Sequence, residues 1–203
     1  LKTALNGLWD AAPRIGDRIA IVGAGALGCL VSWLVSRIPG CSVELIDIEP
    51  ERASVAAALG VAFQLPDDAT GEVDLVLHTS GTEEGLATAL RLAAFEAKVI
   101  ELSWYGARQP VVPLGEGFHS RRLSLVSSQV GTIASAQRAR WNLSRRMELV
   151  LRLLSDSALD VLITDQSNFD ELPSLMETLA KTPGRTLCHR IVYEQPIRRE
   201  SHV

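Results

Sequence analysis

Apolar residues change their spacing repeatedly along the first 130 residues, as they do where strands alternate with helices. The first change falls inside an uncharged stretch of 18 residues, 19–36. This stretch begins with a short, partly β-branched run, continues through three glycines and ends with apolar residues at helical spacing. Eighteen uncharged residues approach the length of a membrane-spanning helix, but each internal glycine weakens a helix by roughly 1 kcal/mol. We therefore predict a strand, a glycine turn and a helix there, and no membrane span.

The same pattern recurs as far as residue 127. Strands are predicted at 18–23, 42–47, 73–79, 98–103 and 122–127, with a short extended segment at 61–64. Helices are predicted at 2–12, from the glycines to about 38, at 50–60 and at 82–94. Strands that alternate with helices at this spacing form parallel sheets with helices on both faces. The predicted fold class is therefore α/β, a doubly wound parallel sheet of the Rossmann type.

The pattern changes after residue 130. A long helix is predicted at 134–154, followed by a strand at 160–164, a helix at 168–181 and a strand at 186–193. We therefore predict two domains, a dinucleotide-binding domain over 1–130 and a C-terminal helix–strand–helix–strand extension over 131–203. The long helix carries five arginines, which we expect to form a solvated face or to contact another domain: Arg138, Arg140, Arg145, Arg146 and Arg152.

Composition narrows the class of protein. The 203 residues have a formal net charge of -4 and a pI of about 5.6, so we expect neither a nucleic-acid partner nor an anionic membrane surface. Cys29, Cys41 and Cys188 have no metal-binding or disulfide spacing, and we predict reduced thiols in a cytoplasmic protein. Because the chain starts at Leu1 instead of Met, we expect it to be a piece of a longer protein or a processed product.

The glycine turn matches the dinucleotide-binding pattern G-x-G-x-x-G, written here as GAGALG. The pattern alone is a weak signal, but here it follows a predicted strand and opens a predicted helix. Gly23 allows the tight turn, Gly25 lets a pyrophosphate approach the backbone, and Gly28 lets the helix pack closely on the strand. The first N–H groups of the helix then face the phosphates. The turn therefore predicts a dinucleotide site.

An acidic residue at the end of the second predicted strand indicates which dinucleotide binds. Asp47 lies 19 residues beyond Gly28, where a carboxylate accepts hydrogen bonds from the adenosine ribose. It would repel the 2′-phosphate of NADP, and nearby glutamates add negative charge, so we predict NAD in preference to NADP. Arg52 either packs on the ribose and adenine or is a solvated arginine of the helix.

Four segments carry a resemblance to a known family. "RIGDRIAIVGAGALG", "VELIDIEPERASVAAALGV", "VDLVLHTSG" and "AKVIELSWYG" resemble the cofactor half of the medium-chain, zinc-type alcohol dehydrogenases, which include threonine and polyol dehydrogenases. The resemblance implies that Ala26 and Leu27 join the three glycines at the pyrophosphate. It places Thr79, Ser80 and Gly81 on the nicotinamide side. It places Arg185 near the pyrophosphate, with a solvent-facing arginine as the alternative. It also implies that backbone groups at Ser103 and at 128–130 meet the nicotinamide carboxamide.

The resemblance also implies a reaction and an absent half. The family transfers hydride between an alcohol or carbonyl substrate and nicotinamide, usually with zinc as a Lewis acid. Its zinc ligands lie in a GroES-like domain upstream of the position matching Leu1, and residues 131–203 would pack on that domain. We therefore expect no catalytic residue or metal ligand in this chain, which alone would be inactive, and a homodimer or homotetramer as the assembly.

The four histidines fit that expectation. His78 ends an apolar strand and is predicted to be a satisfied core or cleft histidine, whereas His119 and His189 are predicted to lie at the surface. His202 is equally isolated in the sequence from other ligand types.

Three alternatives stay open from the sequence. The chain could be a non-catalytic NAD-binding module, such as a redox sensor, or part of a zinc-free reductase of the same superfamily. An S-adenosylmethionine methyltransferase shares the glycine turn and the acid after the second strand. It is disfavoured because the last predicted strands lack an antiparallel hairpin pattern.

Overall fold

The computed structural model describes residues 1–115, 117–181 and 184–193. They divide into two compact units, Leu1–Val161 and Leu162–Val203. The strands of the first unit are β1 (Arg18–Val22), β2 (Ser42–Ile46), β3 (Ala62–Gln64), β4 (Val73–His78), β5 (Ala93–Glu101) and β6 (Ser124–Ser127). They form one parallel sheet in the order β3-β2-β1-β4-β5-β6. The predicted doubly wound α/β fold is confirmed.

Helices connect these strands. Those of the first unit are α1 (Lys2–Ala11), α2 (Ala26–Val35), α3 (Arg52–Ala58), α4 (Glu83–Leu92), α5 (Gly117–Ser120) and α6 (Leu143–Leu153). The Thr82 side chain caps α4 by accepting a hydrogen bond from the N–H of Gly85, and two glutamates in the first turn complement the helix dipole.

The core lies along the central strands, which are apolar on both faces because helices cover both. Several of their side chains have at most 1% of their surface exposed: Ile19, Ile21, Leu45, Leu77 and Ile100. The uncharged stretch of the sequence forms β1 and α2, whose Val31, Trp33 and Val35 are equally buried. Among the described residues, no helix is both long and apolar enough to cross a membrane.

Two predicted elements of the first unit are wrong in their bounds. β5 starts at Ala93, directly after α4, and includes an irregularity at Glu96, whose φ is +58°. The helix predicted over 134–154 is instead a short 3-10 turn, Ser135–Gln137, followed by α6. α6 starts only after Asn142, because the Asn142 side chain caps it by accepting a hydrogen bond from the N–H of Arg145.

The second unit contains α7 (Leu172–Lys181) and a parallel pair of strands, β7 (Ile163–Asn168) and β8 (Cys188–Val192). The strand predicted at 160–164 is wrong over its first half, which belongs to the 3-10 turn Ser157–Leu162. Residues 131–161 belong to the first compact unit. The functional division at residue 130 stays a prediction.

Candidate functional site

A large cleft lies outside the carboxyl ends of the strands, where the order reverses between β1 and β4. Such a reversal is where open α/β sheets bind ligands. The cleft has a volume of about 1020 Å³. Its described lining residues include Gly23, Gly25, Asp47, Arg52, Thr79, Ser80 and Thr82. The tertiary structure therefore brings six of the predicted site residues to one cavity.

Two glycines of the turn are required by close approach within the protein. Gly23 has a φ of +109°, and a Cβ atom there would lie 2.6 Å from the backbone nitrogen of Ser80. A Cβ on Gly28 would collide with the carbonyl oxygen of Gly23 and would lie 2.8 Å from the Thr79 hydroxyl. Both glycines therefore let the turn, α2 and the end of β4 pack against one another.

The middle glycine of the motif differs from its neighbours. Gly25 is exposed, has an unstrained φ of -71° as the N-cap of α2, and a Cβ there would meet no protein atom within 4 Å. Ala26 and Leu27 follow as the half-buried first residues of α2. Because the first N–H groups of a helix have no partner inside the helix, this end can hold an anion. The space over Gly25 therefore fits a phosphate group.

Asp47 lies directly after β2, and its carboxylate closes the glycine turn. One oxygen accepts a hydrogen bond from the N–H of Ala24 at 2.6 Å, and the other accepts from the N–H of Glu49 at 2.9 Å. Each carboxylate oxygen has a further lone pair, so Asp47 can still accept from ligand hydroxyls in the cleft.

The cleft wall carries mostly negative charge. Its acidic lining residues are Asp47, Glu49, Asp67, Asp68 and Glu84. Arg52, the first residue of α3, is the one basic residue among the lining residues that the structure describes. This excess of negative charge is unfavourable for a ligand that carries an additional phosphate group on the β2 side of the cleft.

The turn after β4 forms the opposite wall. The Thr79 hydroxyl donates a hydrogen bond to the carbonyl of Gly23 at 2.8 Å, so this side chain ties β4 to the glycine turn. Gly81 has a φ of +69°. Its N–H donates to the Ser103 hydroxyl and its carbonyl accepts from Arg108, both at 3.0 Å.

The structure reveals a polar chain that the sequence analysis missed. His78 has no exposed surface. Its Nδ1 lies 2.7 Å from Oε2 of Glu101, and its Nε2 lies 2.6 Å from Oγ of Ser80. His78 is therefore a satisfied buried histidine, as predicted. Glu101 was not among the predicted site residues. The available signal was that each of the two apolar strands has a polar residue near its end. The parallel register of β4 and β5 makes His78 and Glu101 direct neighbours.

The surroundings of Glu101 alter two ionisations. Burial alone raises the pKa of the Glu101 carboxyl. The hydrogen bond and charge of His78 and the backbone N–H of Ser103 outweigh burial and hold that pKa below the usual 4.5. The pKa of Tyr105 is raised to about 12, mainly by burial and secondly by the nearby Glu101 carboxylate. The Tyr105 hydroxyl lies 3.3 Å from Glu101 Oε2. Glu101 is therefore ionised at neutral pH.

A second buried network supports the segment after β6. Arg146 is only 5% exposed, and its guanidinium donates to the Asn6 side-chain oxygen and to the Val130 carbonyl, both at 2.9 Å. The prediction that this arginine belongs to a solvated face or contacts another domain is therefore wrong, because Asn6 of α1 covers it. Ser128, predicted near the carboxamide, donates its hydroxyl to Asp10 at 2.6 Å.

The other predicted residues lie elsewhere. Arg185 is in the second unit, just before β8, and its place at a pyrophosphate stays a prediction. His119 is exposed, as predicted, whereas His189 is half-buried and lies 2.8 Å from the Ser167 hydroxyl. His202 lies outside the described residues. Within the described ranges, no three acidic, histidine or cysteine side chains form a group that could hold a metal ion.

Comparison with known proteins identifies relatives of this chain. No protein-family model matches the chain. The chain is 26% identical over 192 residues to D-guloside 3-dehydrogenase of Escherichia coli, covering 89% of this chain and 53% of that protein. It is 23% identical over 201 residues to an uncharacterized zinc-type alcohol dehydrogenase-like protein of Haemophilus influenzae, covering 92% and 54% of the two. The chain thus spans about half the length of the curated relatives it matches.

Solved structures agree with these relatives. L-idonate 5-dehydrogenase of Escherichia coli superposes with a TM-score of 0.76 at 16% identity, covering 94% of this chain and 54% of that one. Galactitol-1-phosphate dehydrogenase of Escherichia coli has a TM-score of 0.75 at 18% identity, covering 91% and 56%. Acetophenone reductase of Geotrichum candidum, solved with NAD, has a TM-score of 0.68 at 20% identity, covering 94% and 53%. The relatives and neighbours are alcohol and polyol dehydrogenases, which confirms that this chain resembles part of a zinc-type, medium-chain dehydrogenase.

Proposed function

We propose that this chain is the NAD-binding part of a medium-chain alcohol or polyol dehydrogenase. The observation that carries the proposal is Gly25, whose missing side chain leaves open space at the N-terminus of α2, whereas Gly23 and Gly28 are explained by contacts inside the protein. Protein packing gives no reason for a glycine at position 25. A pyrophosphate that approaches the backbone there gives one.

The charges on the cleft wall support NAD over NADP. Asp47 and Glu49 lie at the end of β2, where the adenosine ribose of a dinucleotide lies in this fold. Hydroxyl groups of NAD can donate to the Asp47 carboxylate, whereas the 2′-phosphate of NADP would meet it as a like charge. Arg52 could offset part of this repulsion, so we expect a preference and not an absolute exclusion.

The cofactor would supply hydride transfer at nicotinamide, and the chain's residues would hold it in place. Gly23, Gly25 and the start of α2 would hold the pyrophosphate, and Asp47 would hold the adenosine ribose. The names of the relatives support a small alcohol, polyol or carbonyl compound as substrate of the whole protein. We place any catalytic zinc, the substrate pocket and the partner of the second unit in the half that the relatives have and this chain does not match.

The proposal also includes two expectations from the sequence, namely that the protein is an oligomer and that it lies in a reducing compartment. β6 ends the strand order of the sheet, and an edge strand can pair with a second copy of the chain. Cys29, Cys41 and Cys188 form no disulfide with one another, which supports a cytoplasmic setting.

A pair of glycine variants tests the proposal. Gly25→Ala should lower the urea unfolding midpoint only slightly, because the added methyl group meets no protein atom, while alanine is a weaker N-cap residue than glycine. It should weaken NADH binding in calorimetry at least about tenfold, because the methyl group occupies the space of the pyrophosphate. Gly71→Ala is the matched control, since Gly71 also has open space and no positive φ but does not line the cleft. It should change neither quantity.

Asp47→Ala tests the choice of dinucleotide. The variant should bind NADH more weakly and discriminate less against NADPH, because the carboxylate that repels the 2′-phosphate is gone. Failure of the unaltered chain to bind either dinucleotide would contradict the whole proposal. Binding of S-adenosylmethionine in their place would support the methyltransferase alternative.

A further inference from the structure

A second cavity lies beside the carboxyl end of β6, apart from the cofactor cleft. It has a volume of about 180 Å³, and no described residue lines both cavities. Its walls come from α1, from the segment that follows β6 and from the 3-10 turn at 135–137. Two charged side chains of opposite sign, Asp10 and Arg138, are among its lining residues. The cavity therefore offers both an acidic and a basic group to a ligand.

The acidic group is held through one of its two oxygens. Oδ2 of Asp10 accepts hydrogen bonds from the Asn6 side-chain amide at 3.2 Å and from the Ser128 hydroxyl at 2.6 Å. Asn6 is itself fixed, because it is only 1% exposed and its oxygen accepts from Arg146 and from the N–H of Ala134. Among the described residues, Oδ1 of Asp10 has no hydrogen-bond partner. The carboxylate is thus fixed in position and keeps one oxygen to accept from a ligand.

The basic group is held in the same way. Nε of Arg138 donates to the Ile133 carbonyl at 2.9 Å. In the part of the chain that the structure describes, the two terminal nitrogens of this guanidinium have no hydrogen-bond partner, and Arg138 forms no ion pair with Asp10. A guanidinium donates most strongly to a carboxylate. Arg138 therefore has its strongest donors left for a ligand.

Opposite charges that line one cavity without pairing leave room for a ligand that pairs with both. An ammonium group donates to a carboxylate, and a carboxylate accepts from a guanidinium, each in a charge-assisted bond. We propose that this cavity binds a small zwitterion, an α-amino acid, with its ammonium group at Asp10 and its carboxylate at Arg138. This site is additional to the proposed NAD site and does not depend on it.

The size and the remaining lining residues narrow the ligand further. The volume of about 180 Å³ equals that of about six molecules of liquid water, so the amino acid must have a short side chain. Thr132 and Ser135 also line the cavity, and their hydroxyl groups donate and accept hydrogen bonds. A hydroxylated side chain, as in serine, therefore fits the cavity better than an apolar one.

Ligands of similar size test the charges that the cavity selects. L-serine carries both charges, L-glycerate has a hydroxyl group in place of the ammonium group, and ethanolamine lacks the carboxylate. In NMR titrations of the unaltered chain at pH 7, L-serine should shift the amide signals of the lining residues until they saturate. It should bind at least about tenfold more tightly than L-glycerate, ethanolamine or uncharged glycerol, because only L-serine forms both charge-assisted bonds.

Variants test the two residues separately. Arg138→Met should weaken L-serine binding about tenfold. Arg140→Met is the matched control, because Arg140 is also exposed but does not line the cavity, and it should change the affinity less than about twofold. Asp10→Asn keeps the shape of the side chain and should weaken L-serine about tenfold, while L-glycerate, which has no ammonium group, should change less than about twofold. A merely structural effect would weaken both ligands equally.

Several results would overturn the inference. One is that L-serine shifts no signal of the lining residues, or shifts only signals of the cofactor cleft. Another is that glycerol binds as tightly as L-serine, which would indicate a site for polyhydroxy compounds. Equal weakening by Arg138→Met and Arg140→Met, or equal loss of L-serine and L-glycerate in Asp10→Asn, would also overturn it. Failure to bind NADH would contradict the proposed function alone, because the two cavities share no described residue.

Discussion

The two walls of the cleft are built in different ways. On the β2 side, Gly23, Gly25 and Asp47 all come from one continuous segment, 18–47, whose strand, turn, helix and strand follow one another in the chain. The wall on the β4 side joins Ser80 and His78 to Glu101, which comes from the next strand of the sheet. The first wall therefore depends on backbone shape at glycines. The second depends on polar side chains that only strand pairing brings together.

The difference has an energetic consequence. On the β2 side the glycines avoid a steric clash, because any side chain at Gly23 or Gly28 would collide with backbone atoms. On the β4 side, buried polar groups are stable only while every partner is present. Substitutions in the first wall should thus change stability by steric clash and independently of pH. Substitutions in the second wall should change stability by an amount that depends on pH.

The largest effect is expected at the glycine in α2. Gly28→Ala should lower the free energy of unfolding by about 3 kcal/mol, because the new methyl group collides with the Gly23 carbonyl and the backbone must shift. Urea unfolding at pH 7 measures it, with Gly25→Ala as the control in the same motif. A loss below about 1 kcal/mol for Gly28→Ala would show that the turn can relax, and the steric account of this wall would be wrong.

A smaller effect is expected at the buried arginine beyond β6. Arg146→Met should cost about 2 kcal/mol, because the buried Asn6 side-chain oxygen and the part-buried Val130 carbonyl lose the guanidinium donor. The neighbouring Arg145→Met removes an exposed guanidinium that stacks 4.1 Å from the Trp141 ring, and it should cost less than about 1 kcal/mol. Equal losses in urea unfolding would mean that burial of Arg146 has no energetic role.

The smallest effect is expected in the pH dependence of stability. The pKa of Glu101 in the folded chain lies below 4.5, its value in an unfolded chain. Its contribution to stability is therefore present above pH 4.5 and is lost as the pH falls through the folded-state pKa. Glu101→Gln should be less stable than the unaltered chain at pH 7, and the difference should shrink below pH 4.5.

Unfolding midpoints in urea between pH 7 and pH 3.5 measure this difference. Glu177→Gln is the control, because Glu177 forms an exposed pair with Lys181 and should change stability by less than about 1 kcal/mol at pH 7. A difference between Glu101→Gln and the unaltered chain that stays constant over the whole pH range would contradict a lowered pKa of Glu101 in the folded chain.

Sequence reasoning succeeded where the signal was local. The strand, glycine turn and helix around Gly23 are confirmed, as is the parallel sheet, because apolar spacing and turn residues report on neighbours in the chain. It failed for α6, which starts after its cap Asn142 and so nine residues later than predicted, and for Arg146, which is buried by α1. Helix spacing cannot show that a distant helix covers one arginine and leaves its neighbours exposed.

What the sequence by itself determined is the fold class and the glycine turn, because backbone conformation and hydrophobic periodicity depend on residues close together in the chain. Only the tertiary structure decided the β4 wall. His78 and Glu101 lie 23 residues apart and meet because two parallel strands pair in one register. That register follows from the packing of the whole sheet, so the contacts of His78 with Glu101 and Ser80 became visible only when the sheet was assembled.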